Sequence, residues 1–458
     1  MRKKYLTVVL LLVLFCGFQG RSEENRQQIR IFDEVVFYDG YKMADNPDKD
    51  LDDGILRHSC SLYSTKLSES VLNSLGEQLD VNVTVEPCCD NYDRIGNINL
   101  ALVPKGLETY VPDETQRIEI GRFITPFMDK NRFPKEVPYS FEISYLSRLL
   151  RDQSIREQYD LWLELELFGI PYAANQQIAG CEGRSDVFAA TLDFSTSAPA
   201  GPSEGNILVP IVIKKPEYVA GGNLNNYSET ATDEIGKTVK TYSFDVTEDL
   251  LSSQIVLITS NHGANANGEE YNRRWHFVYL DDELVLSYRP GRDSCEPFRK
   301  YNTQSNGIYG MSKKSDAMWQ SFSNWCPGDV IDNRIIDTEN IEKGIHKIRI
   351  EVPDALFADQ QGDIPVSMYF VGSSTEVING VEMIKKDLEC PVKVIASDGV
   401  LSFTSSEDIE SLEVFSIDGR KIAGQDNLEP IRIGTGSGVH IVGVGMADGI
   451  VYSFKVRL

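Results

Sequence analysis

The stretch Leu161–Phe168 alternates without a break, with Leu161, Leu163, Leu165 and Leu167 on one side and Trp162, Glu164, Glu166 and Phe168 on the other. Side chains along a β-strand point to opposite faces in turn, so this period of two predicts a strand with one face in a core. Short runs rich in β-branched or aromatic residues recur at Ile255–Ser260, His276–Leu280, Ile348–Val352 and Val366–Val371, bounded by Gly, Asn, Asp or Pro. Asp281-Asp282-Glu283, between His276–Leu280 and Leu284–Tyr288, reads as a hairpin turn. Helical patterns are few, with short candidates at Ser68–Leu79 and Ser140–Leu150. Many short strands separated by turns predict an all-β chain of sandwiches rather than a parallel α/β sheet.

The chain has 458 residues, more than one hydrophobic core can hold. Ser, Ala, Pro and Gly crowd together at Ser195–Asn206 and mark a linker. This divides the chain into blocks 28–195 and 207–375, with a smaller block at 388–458. A formal net charge of -24 argues against nucleic acid or an anionic membrane as partner. The glycine-rich Ile433–Gly438 is followed by the strand-like Val439–Val444, not by a helix, so it reads as a hairpin and not a phosphate loop.

Arg2, Lys3 and Lys4 precede the apolar Tyr5–Phe15, a run too short to span a membrane as a helix, so residues 1–20 read as an export signal. Cys16 is a candidate lipid-modified cysteine, although Phe15 before it is bulky where such signals want a small residue. Export to a secreted, periplasmic or cell-surface location makes disulfides available to Cys60, Cys88, Cys89, Cys181, Cys295, Cys326 and Cys390. Adjacent Cys88 and Cys89 are not expected to bond each other, because that geometry is strained. No Cys-x-x-Cys or paired-histidine spacing exists, so no zinc site is expected, and five histidines argue against copper.

Acidic residues sit in four short segments whose composition is not that of ordinary turns. They are Cys89-Asp90-Asn91-Tyr92-Asp93-Arg94, the segment Glu119–Phe127, Glu166 in its strand, and Glu270-Tyr271-Asn272-Arg273-Arg274-Trp275-His276. A later Asn324-Trp325-Cys326-Pro327-Gly328 completes the set. Taken singly, each is compatible with a surface ion pair or a solvated strand face.

In this order and at this spacing the segments resemble the peptide:N-glycosidase F family, which releases asparagine-linked glycans. The resemblance implies two adjacent eight-stranded antiparallel jelly rolls, plus here a small C-terminal β domain. It implies that Asp93 is the primary catalytic carboxylate, with Glu270 and Glu166 positioning water and the first sugars. Glu164 competes for the place of Glu166, and Glu269 for that of Glu270. Arg94, Tyr92, Phe127, Phe168, Tyr271 and Trp325 fall on positions that contact substrate. Cys295 and Cys326 are implied to pair, closing a loop whose constraint stabilises by ~3–4 kcal/mol. No metal or cofactor is implied; the partners are N-glycosylated proteins or glycopeptides, and the protein is expected to be a monomer.

The chain departs from the family pattern in three places. A bracing pair of cysteines around the glutamate loop is replaced by Gly268 and Asn272, and a site arginine is replaced by Phe322. Arg292 and Arg299 are the candidates to take over from that arginine. His262 lies one residue out of register with a family histidine turn.

Hydrolysing a glycosylated asparagine amide requires activated water, a proton for the departing nitrogen and stabilisation of a developing oxyanion. Carboxylates converging in one cleft supply the first two when their pKa values are lifted. Because the acids lie in different blocks, the site is expected between the two jelly rolls. Residues Leu412–Ile422 and the C-terminal Lys455–Leu458 resemble the sorting domain of type IX secretion cargo. Two other functions remain open: a glycan-binding protein without catalysis, and a structural surface protein.

Overall fold

The computed structural model describes residues 26–42, 51–214, 222–225, 230–263, 268–304, 315–320, 322–338, 340–358, 362–374, 392–397, 400–406, 408–416, 421–433, 439–446 and 451–457. The export signal, Cys16, Cys390 and the 434–438 glycine loop lie outside them. The chain forms two compact units, residues 1–377 and 378–458. Among the described residues no helix is long and apolar enough to cross a membrane.

In the first unit, one sheet has the strand order β1 (Gln27–Tyr38), β9 (Asp186–Thr196), β4 (Leu79–Pro87), β7 (Val137–Glu142). Facing it is a sheet of β6 (Gln116–Ile124), β5 (Ile95–Pro104), β8 (Tyr159–Leu167), β3 (Leu62–Lys66) and β2 (Ile55–Ser59). Val81, Val83 and Val85 of β4 and Phe188, Leu192 and Phe194 of β9 meet Ile98 and Leu100 of β5 and the four leucines of β8 in one core. The other face of β8 is covered as well: Trp162 and Glu164 are buried.

A second sandwich follows. Its sheets are β10 (Asn206–Val212), β18 (Val366–Ser373), β12 (Ser252–Thr259), β16 (Arg334–Asp337), and β11 (Val239–Val246), β17 (Gly344–Glu351), β13 (His276–Leu280), β14 (Glu283–Tyr288). Its core gathers Phe244, Ile255, Leu257, Val278, Ile348, Ile350, Met368 and Phe370. The β13–β14 turn has two residues, Asp281 and Asp282, with φ of 48° and 71°. A two-residue hairpin loop needs that left-handed pair, and Asp tolerates it better than most residues.

The first sandwich has more than eight strands because the hairpin β2–β3 widens one sheet and a segment of the second block joins the other edge. That segment is β15 (Val330–Ile331), which pairs with β6 through Val330↔Phe123 and Ile331↔Arg122. Two further backbone bonds, Ile124 N–H to Asp329 O and Gly328 N–H to Ile124 O, both 2.9 Å, lengthen the seam. The two sandwiches therefore share one hydrogen-bonded sheet, which fixes how their facing residues meet.

The expected helices are shorter than their sequence patterns. Ser68 caps Glu69–Asn73, and Leu79 already starts β4. Ser140 belongs to β7, where alternate residues Val137, Tyr139 and Phe141 are buried, so the period of two holds until the helix Ser144–Arg151 begins.

The second unit pairs a three-stranded sheet (Val392–Ser397, Val400–Ser405, Ile431–Arg432) with a four-stranded one (Lys421–Gln425, Ile409–Ser416, Val439–Met446, Val451–Arg457). Leu401, Leu412, Val414, Val442 and Val444 fill the space between them.

Candidate active site

The loop from Cys89 to Arg94 joins β4 to β5 and is tied down at its start. Cys89 bonds Cys181, while Cys88 keeps a free thiol. Asp90 is 1% exposed and acts as the hub of the loop. Its carboxylate accepts the Tyr92 N–H at 2.9 Å, the Ile170 N–H at 2.7 Å and Nε of Arg94 at 2.7 Å. Arg94 in turn lies over the Tyr92 ring, 5.1 Å from its centre. The other acid of the loop, Asp93, feels the negative charge of Glu270 from the second block. Its pKa is pushed up to about 8, by burial first and then by the negative charge of Glu270, with Asp90 adding to the rise and Arg94 opposing it.

Of the two glutamates of the next loop, Glu270 is the one whose negative charge raises the pKa of Asp93. Glu269 is held by Arg274 through Nε and Nη2 at 3.0 and 2.9 Å. Glu270, 8% exposed, is the one whose charge reaches Asp93. The loop lacks bracing cysteines, and a different device replaces them. Ser323 Oγ donates to Glu270 O at 2.6 Å, and Asn324 Nδ2 donates to Glu269 O at 3.0 Å and also to Glu270 O. Three hydrogen bonds onto adjacent carbonyls fix a loop much as a crosslink would.

Behind them Trp325 donates its indole N–H to Asn261 O at 2.9 Å and stacks on His262, centres 5.8 Å apart. Cys295 and Cys326 are bonded. The expected substrate contacts of Phe127 and Trp325 need correction. They are 1% and 4% exposed and belong to a packed cluster with Phe322, Trp319 and Ile258, so no ring face is open to a sugar. They back the cleft instead. Phe322 lies 5.9 Å from both Trp319 and Trp325, so the position of the family arginine is filled with aromatic packing. Neither candidate replacement is available. Arg292 binds Asp329 at 2.6 Å and Asp332 at 3.2 Å, and Arg299 binds Asp316 at 2.9 Å.

Glu166 stands on β8 opposite Asn97 of β5, which pairs on its other side with Arg122 of β6. Its carboxylate meets Lys214 Nζ from the second block at 3.2 Å. Burial alone would raise the Glu166 pKa, but Lys214 and Arg117 outweigh it and hold the group below its usual value. Glu164 is different: fully buried, it accepts from Asn99 at 2.9 Å, Tyr110 at 2.7 Å and Arg117 at 2.9 Å, a structural set. Asp93 and Glu270 thus form one coupled pair, and Glu166 with its own counter-ion forms a second acidic point on the facing sheet. Of the remaining aromatics, Tyr92, Phe168 and Tyr271 are partly exposed.

Arg122 carries no role in the motifs above, yet among the described residues it is the largest fully buried side chain. It grips both oxygens of Glu119 at 2.8 and 2.7 Å and reaches into the second sandwich to Ser260 Oγ at 2.8 Å and Pro365 O at 3.0 Å. Residues three apart on a strand normally face opposite ways. Here the register slips between Ile98 and Asn99, where Ile120 is passed over, and Glu119 and Arg122 fall on one face. Ser260 Oγ also meets His262 Nε2 at 2.6 Å. Burial, with Arg122 and Lys214 nearby, lowers the His262 pKa to about 3, so this imidazole is neutral at physiological pH.

The described site is therefore a seam between two sandwiches holding a coupled carboxyl pair, a neutral histidine and partly exposed aromatics. The family model described as Peptide-N-glycosidase F, N terminal, matches residues 28–183, and that described as Peptide-N-glycosidase F, C terminal, matches residues 226–371. The chain belongs to the peptide-N-glycosidase F family. Among solved structures, PNGF-II superposes with a TM-score of 0.54 at 18% identity, over 76% of this chain and 65% of that one, a likeness of fold. The chain thus spans a little under two thirds of PNGF-II. PNGase F, a glycosylasparaginase from Flavobacterium meningosepticum, aligns at 15% identity over 77% of this chain and 97% of that one, with a TM-score of 0.46. No curated protein matches the sequence.

Proposed function

We propose that this peptide-N-glycosidase F family member hydrolyses the side-chain amide of glycosylated asparagine, releasing the intact N-glycan. The observation that carries the reading is Asp93, whose pKa is raised to about 8 by burial first and by the charge of Glu270 from the second block next. A carboxylate with so high a pKa is a far stronger base than an ordinary aspartate and exchanges its proton near neutral pH. Deprotonated Asp93 takes a proton from the attacking water, and Glu270 orients that water. Water oxygen bonds to the amide carbon, Asp93 returns the proton it took to the nitrogen as the bond between that carbon and the nitrogen breaks, and the nitrogen leaves with the sugar as a glycosylamine. The peptide keeps an aspartate, and the glycosylamine then decomposes to ammonia and free glycan. Glu166, ionised beside Lys214, accepts hydroxyl donors of the first sugars.

The test is mass spectrometry of a denatured N-glycoprotein and a short glycopeptide after incubation with the protein. Glycan loss with Asn converted to Asp is the expected result. Retention of one sugar on Asn means cleavage within the glycan and overturns the amidase reading. A second reading, glycan binding without turnover, is favoured by Phe322 in place of the family arginine. Glycan binding with no product would select it.

Lys214 supplies a further expectation. Lys214→Met removes the cation that offsets burial of Glu166, so the Glu166 pKa is expected to rise, read by NMR titration of its side-chain carboxyl. Lys214→Arg restores the original titration. A Glu166 titration unchanged in Lys214→Met removes Lys214 as its counter-ion. Two disulfides, Cys89–Cys181 and Cys295–Cys326, support an exported, oxidising setting. The seven-stranded tail unit is proposed as a sorting domain.

A further inference from the structure

Beside Phe168, already a candidate substrate contact, the first sandwich carries two exposed tyrosines, Tyr41 and Tyr172, that the chemistry above does not use. Tyr41 is 71% exposed and Tyr172 is 46% exposed, unusual for such large rings beside an otherwise packed edge. Phe168 lies between their two segments. Tyr41 meets its edge with ring centres 5.2 Å apart. Gly40 lies so close to the same ring that a Cβ there would stand 2.4 Å from it. Gly40 N–H donates to Gly169 O at 2.9 Å, which locks the end of β1 to the turn after β8. Lys42 holds its ammonium 3.6 Å from the Asp39 carboxylate and 5.9 Å from the centre of the Tyr172 ring.

This surface is continuous with the candidate active site. Ile170, between Phe168 and Tyr172, donates its N–H to Asp90 at 2.7 Å, the same carboxylate that fixes Arg94 and Tyr92. A molecule whose linkage amide sits at Asp93 therefore has an aromatic shelf beside it. We infer that Tyr41, Phe168 and Tyr172, with Lys42 at the rim, form a saccharide subsite that takes N-glycan sugars beyond the two attached to asparagine. The inference rests on the glycan amidase reading for the identity of the sugar.

The chemistry selects a sugar over a polypeptide. One face of a pyranose is a sheet of C–H bonds that packs on the negative face of an aromatic ring, while its edge carries hydroxyls that accept from an ammonium. A peptide would need main-chain groups to pair with, and here they are used: Asp39 N–H donates to Ser185 O, Gly40 N–H to Gly169 O and Lys42 N–H to Asp39 O.

The test uses the full chain carrying Asp93→Asn, so that binding is read without turnover. Calorimetric titrations are run with a released oligomannose N-glycan, with chitobiose, and with an unglycosylated peptide. Adding Tyr41→Ala and Tyr172→Ala together is expected to weaken the oligomannose Kd by roughly ten-fold, the size of two ring contacts, and to leave chitobiose unchanged. Both rings are exposed, so thermal unfolding serves as the control and stays where it was. Equal loss for chitobiose, an unchanged oligomannose Kd, no oligomannose binding by the parent, or a loss of peptide affinity instead overturns the subsite. If the unmutated chain releases no glycan and the oligomannose loss is still seen, the amidase reading fails and the subsite stands.

Discussion

Asp93→Asn is expected to abolish the proposed glycan release, with kcat falling by about 10²–10⁴, while the fold remains. Asparagine keeps the shape of aspartate and can donate hydrogen bonds, but it cannot take a proton from water. The pH dependence of the unmutated protein follows from the same group. Asp93 carries a proton below about 8, so activity is expected to rise with pH toward that value as the base form fills. Glu270→Gln removes the second largest cause of the rise after burial, and the ascending limb moves to lower pH.

The stability sign is the reverse of the usual carboxylate case. A folded-state pKa raised above an unfolded value of about 3.9 means that stability is fully present below that lower pH and is lost as pH climbs through about 8. Asp93→Asn should therefore unfold at a higher temperature than the unmutated protein at pH 8, with the gain vanishing near pH 4. A mutant that is inactive yet more stable at pH 8 is what a catalytic carboxyl held against its own preference gives. A mutant with normal turnover removes Asp93 from the chemistry, and one less stable at pH 8 removes the coupled-pair account.

The sandwich architecture was legible because strand periodicity is local: the alternation of Leu161–Leu167 and the Asp281-Asp282 turn each follow from a few neighbouring residues. Glu166 against Glu164, and Glu270 against Glu269, were not separable that way. Each pair differs only in what stands opposite, Lys214 or Tyr110 in the first case, Asp93 or Arg274 in the second. The expectation that Phe127 and Trp325 contact substrate does not survive their burial, because an aromatic residue has the same sequence signature in a core and in a cleft. The Ser323 and Asn324 brackets replace a crosslink by side chains that form no motif. Arg122 was hidden by the bulge: with a strict period of two, Glu119 and Arg122 face opposite sides, and no ion pair is suggested.

That hidden pair leads to the largest stability effect. Arg122→Met is expected to destabilise the first unit by ~3–5 kcal/mol, measured by denaturant or thermal unfolding, because Glu119 is left with its charge buried and its main partner gone. The loss falls at the seam between sandwiches, since Arg122 is also bound to Ser260 and Pro365. Replacing both partners, Arg122→Met with Glu119→Leu, removes the orphaned charge and should recover most of the lost stability. Recovery stays incomplete because the Ser367 hydroxyl, which donates to Glu119, then loses its acceptor. If the double variant is no more stable than the single one, the pair is not what makes Arg122 costly to lose, and the contacts to Ser260 and Pro365 are. Activity separates the two contributions further. Ser260 holds His262, and His262 stacks on Trp325, so a seam repaired in stability but not in turnover assigns Arg122 a positioning role through that histidine.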